Sequence, residues 1–292
     1  MHIGAIGQSL LRLVFNIMKT LFILVTCTKD ITRNAVLEKV VENLSNVLSP
    51  EMKENLLVFD NNSTFPGSVD LLTKNFTNVF QSKSNIGYWS AINWCLDNYA
   101  KIFMKEYEFA YIIESDLIHS ENTSAALQDC ELFLSTYPEI GMIRTEEFSI
   151  EERHLYDKDC RYPETKTYAW VRQFNRIEGI RVEFMQTNFN SIFVCNFLAK
   201  LPALSRIKSL KDVFQRLKLF KKFSEIEYQN EYYSLHQLNA VYNGGIFHSK
   251  LSNENIHSVI NGSFNHNAVI DYRPTRDDTI TETNFEDVLK LS

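Results

Sequence analysis

Apolar positions along this chain fall either in short unbroken runs or in stripes of helical spacing, and through the first half the two kinds alternate. "TLFILVTCT" (20–28) is a continuous apolar run rich in β-branched residues, which predicts a strand buried on both faces. "KDITRN" follows, with Thr28, Asp30 and Thr32 as cap candidates. Val36, Leu37, Val40, Val41, Leu44, Val47 and Leu48 then recur at helical spacing. "NLLVFDNNST" reads as a second buried strand ending at Asp60, "SVDLLTKNF" as a short helix and "TNVFQS" as a short strand. "NIGYWSAINWCLDNYAKIF" reads as a helix capped by Asn85, "YEFAYIIESD" as a strand, "SAALQDCELFLSTY" as a helix and "IGMIRTEE" as a strand.

The second half is less regular. "YAWVRQF" and "IRVEFMQTNFNSIFVCN" predict strands; "FLAKLPALSRI" and "SLKDVFQRLKLFKKF" read as helical. "SEIEYQNEYYSLHQLNAVYNGG" reads as one helix stopped by Gly244-Gly245, and "IFHSKL" as a short strand. The polar tail after about residue 252 is expected to be irregular.

Alternation of strand and helix implies an α/β fold with a mostly parallel sheet flanked by helices, followed by a less regular C-terminal region. Three segments are expected: an N-terminal extension at 1–18, a first half at 19–150 and a second half at 151–292. In such sheets ligands sit beyond the carboxyl ends of the strands. Thr26–Asp30, Asp60–Thr64 and Glu114–Asp116 all lie at those ends and should meet in one cleft.

The composition fits a soluble globular protein, with 292 residues, 45% apolar and 23% charged, and a net charge of −6 without a long basic run. That excludes the electrostatic footprint of a nucleic-acid binder. Five scattered cysteines without a C-x-x-C spacing are expected to be reduced thiols in a cytoplasmic protein. Near the N-terminus Leu10, Leu11, Val14, Ile17 and Met18 share one helical face. Gln8, Arg12, Asn16 and Lys19 keep any run short of a membrane span, and no signal-peptide cleavage site is found after them. An amphipathic docking helix, with peripheral membrane contact as a further role, is the expectation there, and Met18 would be a natural start.

"YIIESDLIHS" (111–120) carries the first chemical question. Residues two apart on a strand face one side, so Glu114 and Asp116 are expected to point together into the cleft with Ser115 turned away. Neighbouring carboxylates repel unless a cation settles them, and a hard dication, Mn²⁺ or Mg²⁺, does so while taking its remaining oxygens from water and phosphate. A pair of solvated acids starting a turn is the plainer alternative. "VTCTKDITR" has neither G-x-G-x-x-G nor G-x-x-x-x-G-K-[ST], which argues against a dinucleotide-binding Rossmann domain and a P-loop.

Taken in order, "LLVFDNNST", "SNIGYWSAINWCL" and "YIIESD" resemble nucleotide-sugar-dependent glycosyltransferases of the GT-A fold, nearest the family 2-like group. The resemblance is good over about 20–150 and faint over 180–250. It implies a Rossmann-like GT-A sheet and sugar transfer of the hexosyltransferase kind, as in polysaccharide biosynthesis. The donor would be a nucleotide-diphosphate sugar, with a UDP-sugar the expectation, and the acceptor a saccharide or glycoconjugate hydroxyl. Carried over, Asp60 would accept a hydrogen bond from the base with Thr26 and Asp30 nearby, and Asn85 and Gly87 would shape the floor of the nucleotide site. Lys83 would contact phosphate or base, and a solvated lysine is its alternative. Glu114 and Asp116 match the acid-x-acid triplet, with Asp116 the metal ligand; the first acid, usually Asp, is Glu here. An inverting enzyme needs a base, and the late helix puts Glu231 there, with Asn230 in place of its usual acidic neighbour and Glu227 and Glu225 as competitors. His248 would reach the metal or diphosphate, with His119 and His266 weaker candidates, and Trp170, Asn188 and Asn190 would lie near sugar. Two rivals remain: a binding or scaffold protein that kept the fold and lost turnover, and a sugar-phosphate nucleotidyltransferase, whose glycine-rich basic loop "TCTKDITR" lacks.

Overall fold

The computed structural model describes residues 18–145, 170–173, 176–179, 184–189, 191–195, 202–223, 225–236, 238–242 and 278–292. The first half follows the expected alternation. β1 (Thr20–Thr26) leads to α1 (Ile31–Val47), a short α2 (Pro50–Glu54) and β2 (Leu56–Asp60). Then come α3 (Ser68–Asn75), β3 (Val79–Ser82), α4 (Tyr88–Phe103), β4 (Phe109–Glu114), α5 (Thr123–Thr136) and β5 (Met142–Arg144). A hairpin of β6 (Trp170–Gln173) and β7 (Arg176–Gly179) stands apart as a two-stranded sheet. β8 (Phe184–Gln186), β9 (Ile192–Cys195), β10 (Ala203–Arg206), α6 (Ile207–Leu217), α7 (Glu225–Leu235), β11 (Asn239–Tyr242) and β12 (Val288–Lys290) complete the described chain.

Ten strands form one sheet in the order β12-β3-β2-β1-β4-β10-β5-β11-β9-β8. β3, β2, β1 and β4 run parallel, whereas β10 lies antiparallel between β4 and β5. This is the α/β architecture expected, with a parallel first half and a mixed second half sharing one continuous sheet.

Strand pleating sorts β1 between two cores. Phe22 and Leu24 join Leu37, Val40, Val41 and Leu44 of α1 and Leu127, Cys130 and Phe133 of α5 on one face. Leu21, Ile23 and Val25 join Trp94 and Cys95 of α4, Val213 and Phe214 of α6, and Tyr228 and Tyr232 of α7 on the other. Each fully buried side chain of this size contributes about 1.5–3 kcal/mol of transfer free energy, which explains why continuous apolar runs were needed in the central strands.

Four expectations are corrected. "ALSR" within "FLAKLPALSRI" is β10, a strand, because this short segment between β4 and β5 gains ladder hydrogen bonds from both neighbours. α7 ends at Leu235 and "NAVY" forms β11 against β5 and β9, so the helix does not continue to Gly244. α4 is capped by Gly87 and begins at Tyr88; Asn85 lies two residues before the cap and accepts a hydrogen bond from the Gly87 N–H at 2.9 Å. The end of the tail is ordered into the sheet, where β12 pairs antiparallel with β3. Residues 1–17, which hold most of the proposed amphipathic helix, lie outside the described residues; Met18 is buried and its N–H donates to Glu51 at 2.8 Å.

Candidate functional site

Asp60, the last residue of β2, is fully buried. Its Oδ1 accepts from Thr26 Oγ1 at 3.0 Å and from the Ser63 hydroxyl; its Oδ2 accepts from the Ser63 N–H at 3.0 Å and Gln81 Nε2 at 2.8 Å. Two lone pairs per oxygen are thus spent on β1, on β3 and on the turn that leaves β2. That turn continues through Asn62, which takes the left-handed conformation Asn tolerates, and ties back to Thr28, whose carbonyl accepts from the N–H groups of Thr64 and Phe65. Asn61 extends the network: its Oδ1 accepts from the Ile86 N–H at 2.8 Å and its Nδ2 donates to Asn85 Oδ1 at 3.1 Å. Asn85 Nδ2 in turn donates to Cys27 Sγ at 3.3 Å. The carboxyl ends of β1, β2 and β3 are therefore laced together by short polar side chains.

β1 is where strand order reverses. The chain steps from β1 to β2 and β3 on one side, then returns to lay β4 on the other. Loops leaving β1 and β4 head apart, which leaves a crevice at their carboxyl ends. A cavity of about 220 Å³ occupies that place, lined by Thr26, Cys27 and Thr28 after β1, Ser115 and Asp116 after β4, and Thr32, Arg33, Val36 and Leu37 of α1. α1 forms this wall because Asp30 fixes its start, with Oδ1 accepting from the Arg33 N–H at 2.8 Å.

The acid-x-acid triplet is placed differently from the expectation. β4 ends at Glu114, so strand alternation does not govern residues 115 and 116. Ser115 and Asp116 both line the cavity, and Glu114, half-buried, does not. The turn is anchored just downstream. His119 is buried, its Nε2 lies 3.1 Å from Tyr111 Oη, and its backbone exchanges two hydrogen bonds with the Asn43 side chain. Burial pushes the His119 imidazole down to a pKa of about 4, which keeps it neutral. It is a packing and anchoring group inside the fold.

Asp116 reaches solvent at the mouth, yet enough protein surrounds it that desolvation pushes its carboxyl above the ordinary aspartate range. Its own backbone N–H and the Arg33 guanidinium pull the other way. No side chain among the described residues hydrogen-bonds or ion-pairs with this carboxylate. Arg33 was not foreseen in the sequence; its position, three residues past an N-cap at the end of a strand, was the available signal. It lines the same cavity as Asp116 and acts on that carboxylate electrostatically, while its Nε stays 4.0 Å from Asp30.

Among the described residues no three His, Cys, Asp or Glu side chains approach closely enough to cage a metal ion. The donor set instead fits a hard dication held by one carboxylate and completed by water and ligand oxygens, the usual manner of Mg²⁺ at phosphates. Asp116, held by no other side chain among the described residues and disfavoured as a bare anion by burial, is the residue that would hold it.

The other candidates fall elsewhere. Asp30 is an exposed cap, and Gly87 opens α4 at φ +87°. Lys83 donates to the Glu286 carbonyl at 2.9 Å and sits 3.5 Å from Asp287, held by the chain's last turn. Glu231 is ion-paired with Arg216 at 3.3 Å on the outer seam of α6 and α7, and neither it nor Glu227 lines the cavity. Those helices pack on the sheet face opposite to α1. His248, His266 and Asn190 lie outside the described residues; Asn188 is exposed after β8, and Trp170 opens β6. Cys27, Cys95 and Cys130 are free thiols, as expected.

No protein-family model matches this chain, and no curated protein does. Among solved structures, S. aureus TarS 1–349 in complex with UDP-GlcNAc is similar at 14% identity and a TM-score of 0.49, covering 79% of this chain and 57% of that one. Glucosyl-3-phosphoglycerate synthase from Mycobacterium tuberculosis in complex with Mg²⁺ and UDP is similar at 16% identity and a TM-score of 0.33, over 52% of this chain and 50% of that one. A cytidylyltransferase from Leptospira borgpetersenii is similar at 18% identity and a TM-score of 0.32, over 51% and 71%. This chain thus spans little more than half the length of the first of these.

Proposed function

We propose that this protein is a glycosyltransferase that binds a nucleotide-diphosphate sugar at the carboxyl ends of β1 and β4 and transfers the sugar to a hydroxyl acceptor. The observation that carries the reading is the cavity at the reversal of strand order, lined by Arg33 and by an Asp116 carboxylate that no other side chain among the described residues holds. Sugar transfer expels a nucleoside diphosphate, and a divalent ion bound at Asp116 would supply Lewis-acid stabilisation of that leaving charge. Arg33 places a second positive charge beside the same oxygens, while Thr26, Thr28 and Thr32 offer hydroxyls to a polar ligand and Val36 and Leu37 an apolar wall. Asp60 supports the site from behind by holding the ends of β1 and β3 to its own turn. A UDP-sugar donor, a saccharide or glycoconjugate acceptor and Mn²⁺ or Mg²⁺ belong to this proposal, as does the division into a donor half at 19–150 and an acceptor half at 151–292.

A screen of UDP- and GDP-sugars by thermal shift, with and without Mn²⁺, tests it. A ligand at a hundred times its Kd stabilises the folded state by about 2.7 kcal/mol, so a metal-dependent rise in Tm is expected, and Asp116→Asn should remove it. An equal rise in the variant would sink the metal assignment. One observation favours a second reading, a nucleotide-sugar-binding protein without turnover: Glu231, the base candidate, is held by Arg216 outside the cavity. Donor hydrolysis separates the two, since a binder gives the Tm rise and releases no nucleoside diphosphate.

A further inference from the structure

The turn after α6 is out of character with the rest of the molecule. α6 spends its apolar stripe internally: Ile207, Leu210, Val213, Phe214 and Leu217 are all buried against the sheet. Leu219 and Phe220 come after the stripe is used up, and they are 86% and 40% exposed. A single exposed leucine is ordinary on any surface. Here two adjacent large apolar side chains stand in a run, 216–222, that also carries Arg216, Lys218, Lys221 and Lys222, on a protein whose net charge is −6.

The turn is held in shape. The Lys218 N–H donates to the Phe214 carbonyl at 3.1 Å, Leu219 to Arg216 at 3.0 Å and Phe220 to Leu217 at 3.0 Å, so the projecting side chains sit on a hydrogen-bonded frame. Acids compensate part of the charge: Glu231 pairs with Arg216 at 3.3 Å and Glu282 with Lys218 at 3.6 Å. Lys221 has no ion-pair partner among the described residues; Lys222 makes an interaction of its own, and both are exposed. Position matters as well. Phe223, at the end of the turn, meets Trp89 with ring centroids 5.7 Å apart, and Trp89 lies in the first turn of α4, beyond the carboxyl end of β3. The turn therefore projects near the same edge of the sheet onto which the cavity opens.

We propose that residues 218–222 dock this protein on an anionic membrane surface, Leu219 and Phe220 entering the boundary between headgroups and acyl chains while Lys221 and Lys222 sit over acidic headgroups. Shallow apolar insertion flanked by cations is the chemistry of interfacial binding. It needs no membrane-spanning helix, and among the described residues no helix is long and apolar enough to be one. The cavity edge of the sheet would then face the bilayer. This inference is independent of the donor chemistry proposed above and of residues 1–17.

The test is co-sedimentation of the full chain with vesicles of phosphatidylcholine alone and of phosphatidylcholine mixed with phosphatidylglycerol. Binding to the mixed vesicles only, weakening as salt is raised, is expected. Lys221→Glu combined with Lys222→Glu should weaken it about tenfold or more, since each lysine near an anionic surface is worth roughly a factor of five. Leu219→Ser should also weaken binding while leaving Tm unchanged, because that side chain is exposed. Leu219→Trp should gain fluorescence that brominated lipid quenches, over and above any quenching of the wild-type tryptophans. Failure of the wild type to bind mixed vesicles, or binding by the lysine variant as tight as the wild type, overturns the proposal.

Discussion

The carboxyl ends of β2 and β4 each bring an aspartate to the same edge of the sheet, and the two are held in opposite ways. Asp60 is fully buried and every oxygen lone pair is used, so its carboxylate acts as a clasp for three strand ends. Asp116 is exposed, accepts nothing from another side chain among the described residues, and is destabilised as an anion by its surroundings. The first acid holds strand ends together; the second, at the mouth of the cavity, is held by no other side chain among the described residues, which is what the proposed ligand role requires of it.

Removing the clasp should have the largest effect. Asp60→Ala strands the Thr26 and Ser63 hydroxyls, the Gln81 amide and the Ser63 N–H, and should cost on the order of 4 kcal/mol in urea unfolding; a loss below about 1 kcal/mol would erase the contrast. Next in size is the acid limb of the stability curve. His119 has a folded pKa of about 4 against an ordinary value near 6.5, so the unfolded chain takes up its proton first. Stability from the neutral imidazole is complete above pH 6.5, falls as pH drops toward 4, and amounts to about 3 kcal/mol. Replacement by Gln should lower stability at pH 7 and flatten that slope. Gly87→Ala should cost about 1–2 kcal/mol through backbone strain alone, because φ is +87° and the space a Cβ would fill is open. Asp116→Asn should have the smallest effect on the unliganded protein and the opposite sign. With its folded pKa raised, ionisation of Asp116 opposes folding as pH rises through that pKa, so the amide should melt at or slightly above the wild-type Tm at pH 7. A clear drop in Tm would mean that Asp116 is structural after all.

What could be read in the sequence tracks how local the forces are. β1, β2 and β4 were legible because double burial demands unbroken apolar runs, and α1 because one face meets the core. β10 and β11 were not. Four-residue segments carry too little periodicity to separate strand from helix, and both are strands because of neighbours far off in the chain: β4 and β5 for one, β5 and β9 for the other. At the site, the motif positions Thr26, Asp60, Asn85 and Asp116 all came to the expected edge. Their division of labour stayed hidden, because saturation of Asp60 depends on Gln81 and Thr26 arriving from other strands. The rule of alternation turns Ser115 away from a cavity that it lines, since the strand stops one residue earlier, and Glu231, the base that the resemblance implies, sits on a helix packed on the opposite face.

β12 gives the molecule a border. Without it β3 would present an open row of amide and carbonyl groups, an invitation to pair with another copy. Three residues with two outward-facing side chains, Leu289 and Lys290, close that row with a strand too short to recruit a further one. Because Phe285 also stacks on Trp94 at 5.6 Å, Asp278 accepts from Trp89 Nε1 at 3.0 Å and Lys83 is held by Glu286 and Asp287, loss of the last fifteen residues would unbutton β3 and the first turns of α4 together. Self-association, rather than weakened chemistry, would then be the first symptom.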